Sequence, residues 1–142
     1  MSLPTEVAIE LCRGTFVEAG AFKVSLYTVD LTVTTAQNYA GNTGNETVGT
    51  GYPITGFPLS SDGPNFWRTV GATAVYAPAE TQSSTGSTFT FRSILIYNST
   101  ATNPNDGLYF FNAGSDQVVS NGQLTIVWPT PDATTGLVRV PQ

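Results

Sequence analysis

Four aspartates stand in turn-forming company along this chain: Asp62 after two serines, Asp106 before Gly107, Asp116 after Ser115 and Asp132 after Pro131. Two carboxylates brought together by a fold can work as a glycosidase pair, a chemistry that needs no histidine. The bland account of the same residues is that an Asp side chain bonds nearby backbone N–H groups and so settles in turns. The turn context favours that account. Asn103-Pro104-Asn105-Asp106 offers oxygen atoms to calcium, but lacks the spaced Asp/Asn set and closing Glu of a dedicated loop. It too reads as a turn.

Other chemistries are excluded by residue type. Histidine is absent, so neither a Ser/His/Asp nor a Cys/His arrangement can be built. Cys12 is the single cysteine, which leaves no intrachain disulfide and no zinc site of His and Cys. The glycines at 41, 44, 49 and 51 are followed by neither Lys-Ser/Thr nor a helical pattern, so there is no phosphate loop. No catalytic, cofactor-binding or metal-ligating residue is assigned, and no cofactor is expected. Asn45-Glu46-Thr47 and Asn98-Ser99-Thr100 match the N-glycosylation acceptor. A chain this rich in Asn, Ser and Thr produces such triplets by chance.

The elements that position these residues follow from composition and alternation. The chain has 142 residues, the length of one domain. Charged residues make up 11%, under half the usual share of about 25%. The net charge is −5, and the five basic residues, Arg13, Lys23, Arg68, Arg92 and Arg139, lie far apart. Nucleic acid is therefore not an expected partner. No apolar run has the length of a membrane span, and membrane association is not expected. Met1 to Glu6 has no basic region and no long apolar core, so no secretory signal is read and synthesis in a cytosol is expected.

Hydrophobic residues at 40% are enough for a core, and Thr, Ser, Asn and Gly in place of charge suit strands and tight turns. Residues 1–20 read as an N-terminal arm or short helix, and 21–142 as one β domain. Ala21 to Tyr27 alternates Phe22, Val24 and Leu26 against Lys23, Ser25 and Tyr27. Thr28 to Thr35 extends this strand or leaves it. Asn38 to Gly51 reads as a loop with at most a short strand near Thr47 to Thr50. Tyr52 to Leu59 is extended but interrupted by proline, an edge strand or clamped loop.

Phe66 to Tyr76 reads as one strand, and Glu80 to Gly86 as a polar loop. Thr88 to Tyr97 is the strongest strand. Ile94-Leu95-Ile96-Tyr97 is apolar on both faces, as a central strand would be. Asn98 to Gly107 reads as a loop, Leu108 to Phe111 as a short strand, Gln123 to Trp128 as another, and Gly136 to Val140 as the last. About eight short strands with turn signals between them predict an all-β fold, an antiparallel β-sandwich of jelly-roll type.

Tyr109-Phe110-Phe111 stands apart. Three consecutive aromatics on a strand must divide between its faces, so at least one is expected to face outward or toward a partner. Most other aromatics sit at alternating positions that suit a core.

Several segments resemble small virion structural proteins of tailed bacteriophages. They are Phe22-Lys23-Val24-Ser25-Leu26-Tyr27, Glu46-Thr47-Val48-Gly49-Thr50-Gly51-Tyr52, Leu95-Ile96-Tyr97-Asn98-Ser99-Thr100 and the ending Asp132 to Val140. Order and spacing match from about Glu10 onward. The chain departs from that pattern at Phe16-Val17-Glu18 after Gly14-Thr15, and at Phe111-Asn112-Ala113-Gly114.

The resemblance implies a non-enzymatic capsid cement or decoration protein on the capsid surface of the virion, made in the host cytoplasm. It would bind the major capsid protein as a homo-oligomer, dimer or trimer. Val7, Ile9 and Leu11 of the arm, with Tyr109, Phe110 and Phe111, are the expected contact residues. A host-recognition or carbohydrate-binding module of a phage fibre, and a neck or tail adaptor, are the alternatives.

Overall fold

The computed structural model describes residues 22–32, 34, 39–59, 67–70, 73–76, 81–99, 106–128 and 138–141. The expected arm, with Val7, Ile9 and Leu11, lies outside them, as do Asp62, Asp132 and the turn expected at Ser60 to Asn65. The described chain is all-β, its only helix a short 3-10 segment at Ala40–Asn45. No helix among the described residues is long and apolar enough to cross a membrane.

Nine strands form among the described residues: β1 (Phe22–Tyr27), β2 (Phe57–Pro58), β3 (Trp67–Val70), β4 (Thr73–Tyr76), β5 (Thr81–Gln82), β6 (Ser87–Asn98), β7 (Asp106–Gly122), β8 (Thr125–Ile126) and β9 (Val138–Pro141). The main sheet has the order β2-β1-β6-β7 and is antiparallel throughout. A second sheet runs β3-β4-β9, and β5 pairs with β8 as a two-stranded ribbon.

The alternation in β1 determines how the main sheet is covered. Phe22, Val24 and Leu26 lie on one face and join Phe89, Phe91 and Ile96 of β6 in a first core. Tyr52, Phe57 and Leu59 from the connection to β2 close over that core, and Leu124, Ile126 and Trp128 around β8 pack against it. The opposite face carries a second core of Tyr27, Leu31, Tyr39, Leu95 and Tyr97, with Phe110 against it. Apolar residues on both faces of Ile94 to Tyr97 thus mark an interior strand, as expected. β6 lies between β1 and β7, with Val24 opposite Ile96 and Leu26 opposite Ile94.

β6 changes its alternation midway. Phe89 and Phe91 face the first core, yet so do Ile94 and Ile96. The break falls at Arg92. Phe91 is opposite Gln117 and Ser93 opposite Asn112, so residues 113–116 of β7 bulge out against Arg92 alone. Gly114 within the bulge has φ +76°, a conformation that costs glycine little.

The structure departs from the sequence reading in several elements. The single strand read from Phe66 to Tyr76 is, in its described part, two antiparallel strands with Val70 opposite Thr73. Only Gly71 and Ala72 separate them in sequence, and the pairing of Val70 with Thr73 puts on one face two positions that a single strand would put on opposite faces. The loop and turn read up to Gly107 give way to β7, which begins at Asp106. β7 also continues through the polar stretch after Phe111, where the short strand was expected to stop. The polar loop at Glu80 to Gly86 contains β5, whose partner β8 holds only two residues of the strand read from Gln123 to Trp128.

Candidate functional site

Glu46 is the only charged residue between Asp30 and Asp62, and the fold gathers polar groups around it. It follows the 3-10 segment and bridges to Tyr27 at the end of β1. Tyr52 donates its hydroxyl hydrogen to Glu46 Oε1 at 2.7 Å, and the backbone N–H of Thr55 donates to the same oxygen at 2.9 Å. Tyr39 donates to Oε2 at 2.5 Å. The Tyr52 oxygen in turn accepts from the N–H of Leu26 at 3.0 Å. Tyr39 stacks on Tyr97, with ring centroids 4.6 Å apart.

Thr55 is the second centre of this network. Its φ is +78°, an unfavourable region for a β-branched residue. Each of its polar groups is engaged: the N–H by Glu46, the carbonyl by the Tyr97 hydroxyl at 2.6 Å, and Oγ1 by Lys23 Nζ at 2.8 Å. Gly56 follows with φ +86°, its N–H bonded to the carbonyl of Pro53. A Cβ at Gly56 would stand 2.2 Å from the carbonyl oxygen of Val24. The turn is thus pressed against β1 and held there, and over-determination of this kind is what lets a strained residue persist.

The chemistry available here is limited. Burial holds the hydroxyls of Tyr27, Tyr39, Tyr52 and Tyr97 above the ordinary tyrosine value, and the Glu46 carboxylate adds to the rise. They remain protonated at neutral pH. Glu46 receives three hydrogen bonds, from the Tyr39 and Tyr52 hydroxyls and the Thr55 N–H. The cluster is built to clamp the segment from Tyr39 to Thr55 onto the sheet rather than to exchange protons. Its sequence signal was a lone acid in an uncharged stretch flanked by Tyr39 and Tyr52, which the reading of residue types passed over.

A second junction forms at the β7 bulge. Asn112 accepts from the N–H of Leu31 through Oδ1 at 2.9 Å and donates through Nδ2 to its carbonyl at 2.7 Å. Ser93 donates to the carbonyl of Val29 at 2.6 Å. Arg92 Nε lies 3.8 Å from Asp30 Oδ1 and 3.4 Å from Asp116 Oδ1. These contacts latch the loop after β1 to the main sheet and seat Leu31 in the second core.

Of the four aspartates in turn-forming company, the two that are described, Asp106 and Asp116, do not form a carboxylate pair. Asp106 and Asp116 lie ten positions apart on the same strand. At about 3.3 Å per residue, that separation far exceeds the 5–9.5 Å or so of a glycosidase pair, even allowing for the bulge. Asp116 turns instead to Arg92. Among the described residues no group of His, Cys, Asp and Glu is arranged to hold a metal. Of the two glycosylation triplets, one has its Asn98 fully buried; in the other Asn45 is exposed, while buried Thr47 donates its hydroxyl to the carbonyl of Thr90.

The three aromatics of β7 divide between faces. Tyr109 lies opposite Ile96 and packs on the first core, while Phe110 lies opposite Leu95 and packs on the second. Phe111, opposite Ile94, is 51% exposed. Of the expected contact residues that are described, Phe111 is the one whose side chain is largely available.

Comparison with protein-family models, curated proteins and solved structures finds no match. The fold and the geometry of these junctions are the ground on which a function is argued.

Proposed function

We propose that the chain is a non-enzymatic structural protein of a tailed-bacteriophage particle, a capsid cement or decoration protein that binds the major capsid protein and stabilises the head. We infer with it a β-sandwich of jelly-roll type, because both faces of the main sheet carry apolar cores. The observation that carries the reading is Phe111. It is a large exposed aromatic on the outermost strand of a sheet whose neighbouring aromatics are used internally. Three of the phage-like segments support it: they coincide with β1, with the Glu46 clamp and with the apolar half of β6. A polar surface with little charge suits the role, since uncharged groups are less costly to desolvate against a neighbour.

The test is position and occupancy on purified particles. Density or immunogold label is expected at the head surface. Deleting residues 2–13 is expected to abolish binding to heads, and Phe111→Ala to weaken it while leaving the fold intact. Normal occupancy of heads by both variants would defeat the reading. Label at the neck or tail would instead identify an adaptor. Glycan binding that Phe111→Ala removes would identify a carbohydrate module.

A further inference from the structure

The two edges of the main sheet differ. One is β2, two residues long and containing Pro58, which cannot donate to another strand. The other is β7, 17 residues long. Among the described residues no strand pairs with β7 on the side away from β6. Edge strands in natural proteins are usually guarded by lysine, proline, shortness or a bulge. From 106 to 122 there is no Lys, Arg or Pro, and the only charges are Asp106 and Asp116. The bulge at 113–116 interrupts the edge and leaves Gln117 to Gly122 beyond it, still paired to β6 on its inner side. In that segment Val118 is 69% exposed.

The geometry points to antiparallel pairing of this segment with the same segment of a second copy, about a twofold axis at Val118. In an antiparallel pair, opposite residues share a face and a hydrogen-bonding direction, so a symmetric pairing must centre on a residue. Centring on Val118 places that exposed side chain against its counterpart. Gln117 then meets Val119, and the ladder stops at the bulge, so Asp116 is not set against a second aspartate. In a chain of net charge −5 this register opposes no like charges. The pairing runs from Gln117 to Val119, short of Asn121, whose N–H donates to Thr88 Oγ1 of β6. The two four-stranded sheets become one sheet across the dimer. This supplies a surface for the homo-oligomer of the preceding reading, and depends on that reading only for its setting in a particle.

Sedimentation of the full-length protein over a concentration series tests it. The unmodified chain is expected to dimerise, and Val118→Lys to weaken the dimer by at least about tenfold, with circular dichroism unchanged because the side chain is exposed. In a Cys12→Ser background, Val118→Cys is expected to cross-link to itself on mild oxidation, and Val48→Cys, 76% exposed at Val48 and away from β7, is not. A monomer at every concentration, a trimer, a dimer indifferent to Val118→Lys, or equal cross-linking at both positions would overturn the pairing. A monomer that still decorates heads would sink the pairing alone, and a dimer that ignores heads would sink the shell reading alone.

Discussion

At the scale of residues, the weight of the loop between β1 and β2 falls on Glu46. Its carboxylate takes two tyrosine hydroxyls and one backbone N–H. Removing it orphans the donors as well as the acceptor, and bonds to a charged group each contribute about 1.5–3 kcal/mol. Glu46→Ala is expected to lower unfolding free energy by about 2–4 kcal/mol in urea titrations, and Glu46→Gln by less, because one amide oxygen still accepts. Glycine positions give a sharper contrast. Gly56 and Gly114 both have positive φ, but a Cβ at Gly56 would strike the Val24 carbonyl, while one at Gly114 meets nothing within 4 Å. Gly114→Ala is expected to cost about 1–2 kcal/mol, the conformational term alone. Gly56→Ala should cost clearly more, since β1 has to shift; thermal melts of the two variants side by side make the comparison.

Among the elements, β7 and the loop after β1 depend on each other. Asn112 bonds the N–H and carbonyl of Leu31 as a strand neighbour would, and this places Leu31 in the second core. Asn112→Ala is expected to cost about 1–3 kcal/mol and to speed hydrogen exchange at the Leu31 amide, because both backbone groups lose their partner. Arg92 makes two ion pairs nearby, but its partners Asp30 and Asp116 are more than half exposed. Exposed pairs contribute about 0–1 kcal/mol, so Arg92→Ala should stay within about 1 kcal/mol of the unmodified protein in the same assay. An effect of Arg92→Ala as large as that of Asn112→Ala would mean that charge rather than the amide holds the loop.

For the molecule as a whole, the buried tyrosines link stability to alkaline pH. Their hydroxyls release protons less readily in the folded chain than in the unfolded one, where the value is near 10. The folded state therefore holds more protons once pH passes that value. Their contribution is complete below about pH 10 and is lost as pH rises above it. Denaturation midpoints followed across the alkaline range should fall beyond about pH 10, together with the rise of tyrosinate absorbance. Tyrosinate appearing before any loss of β structure would show that the hydroxyls are not buried as described.

Strand alternation alone determined β1 and the apolar half of β6, since Phe22, Val24 and Leu26 on one side, and apolar residues on both sides of Ile94 to Tyr97, admit few other uses. Proline at 58 limited β2 to an edge for the local reason that it lacks an N–H. Residue types alone removed histidine and zinc chemistry. Tertiary structure decided what depends on pairing between distant segments. Asn112 to Asp116 reads locally as a turn, but β6 carries the chain through it as a bulge. Gly71-Ala72 reads locally as the middle of a strand, because both flanks are rich in strand-favouring residues, and only the pairing of Val70 with Thr73 divides it in two. Glu46, Tyr39, Tyr52 and Thr55 became one clamp only when the loop folded onto β1. Each side chain is unremarkable by itself, and burial in common turned a lone acid into the acceptor that three donors require.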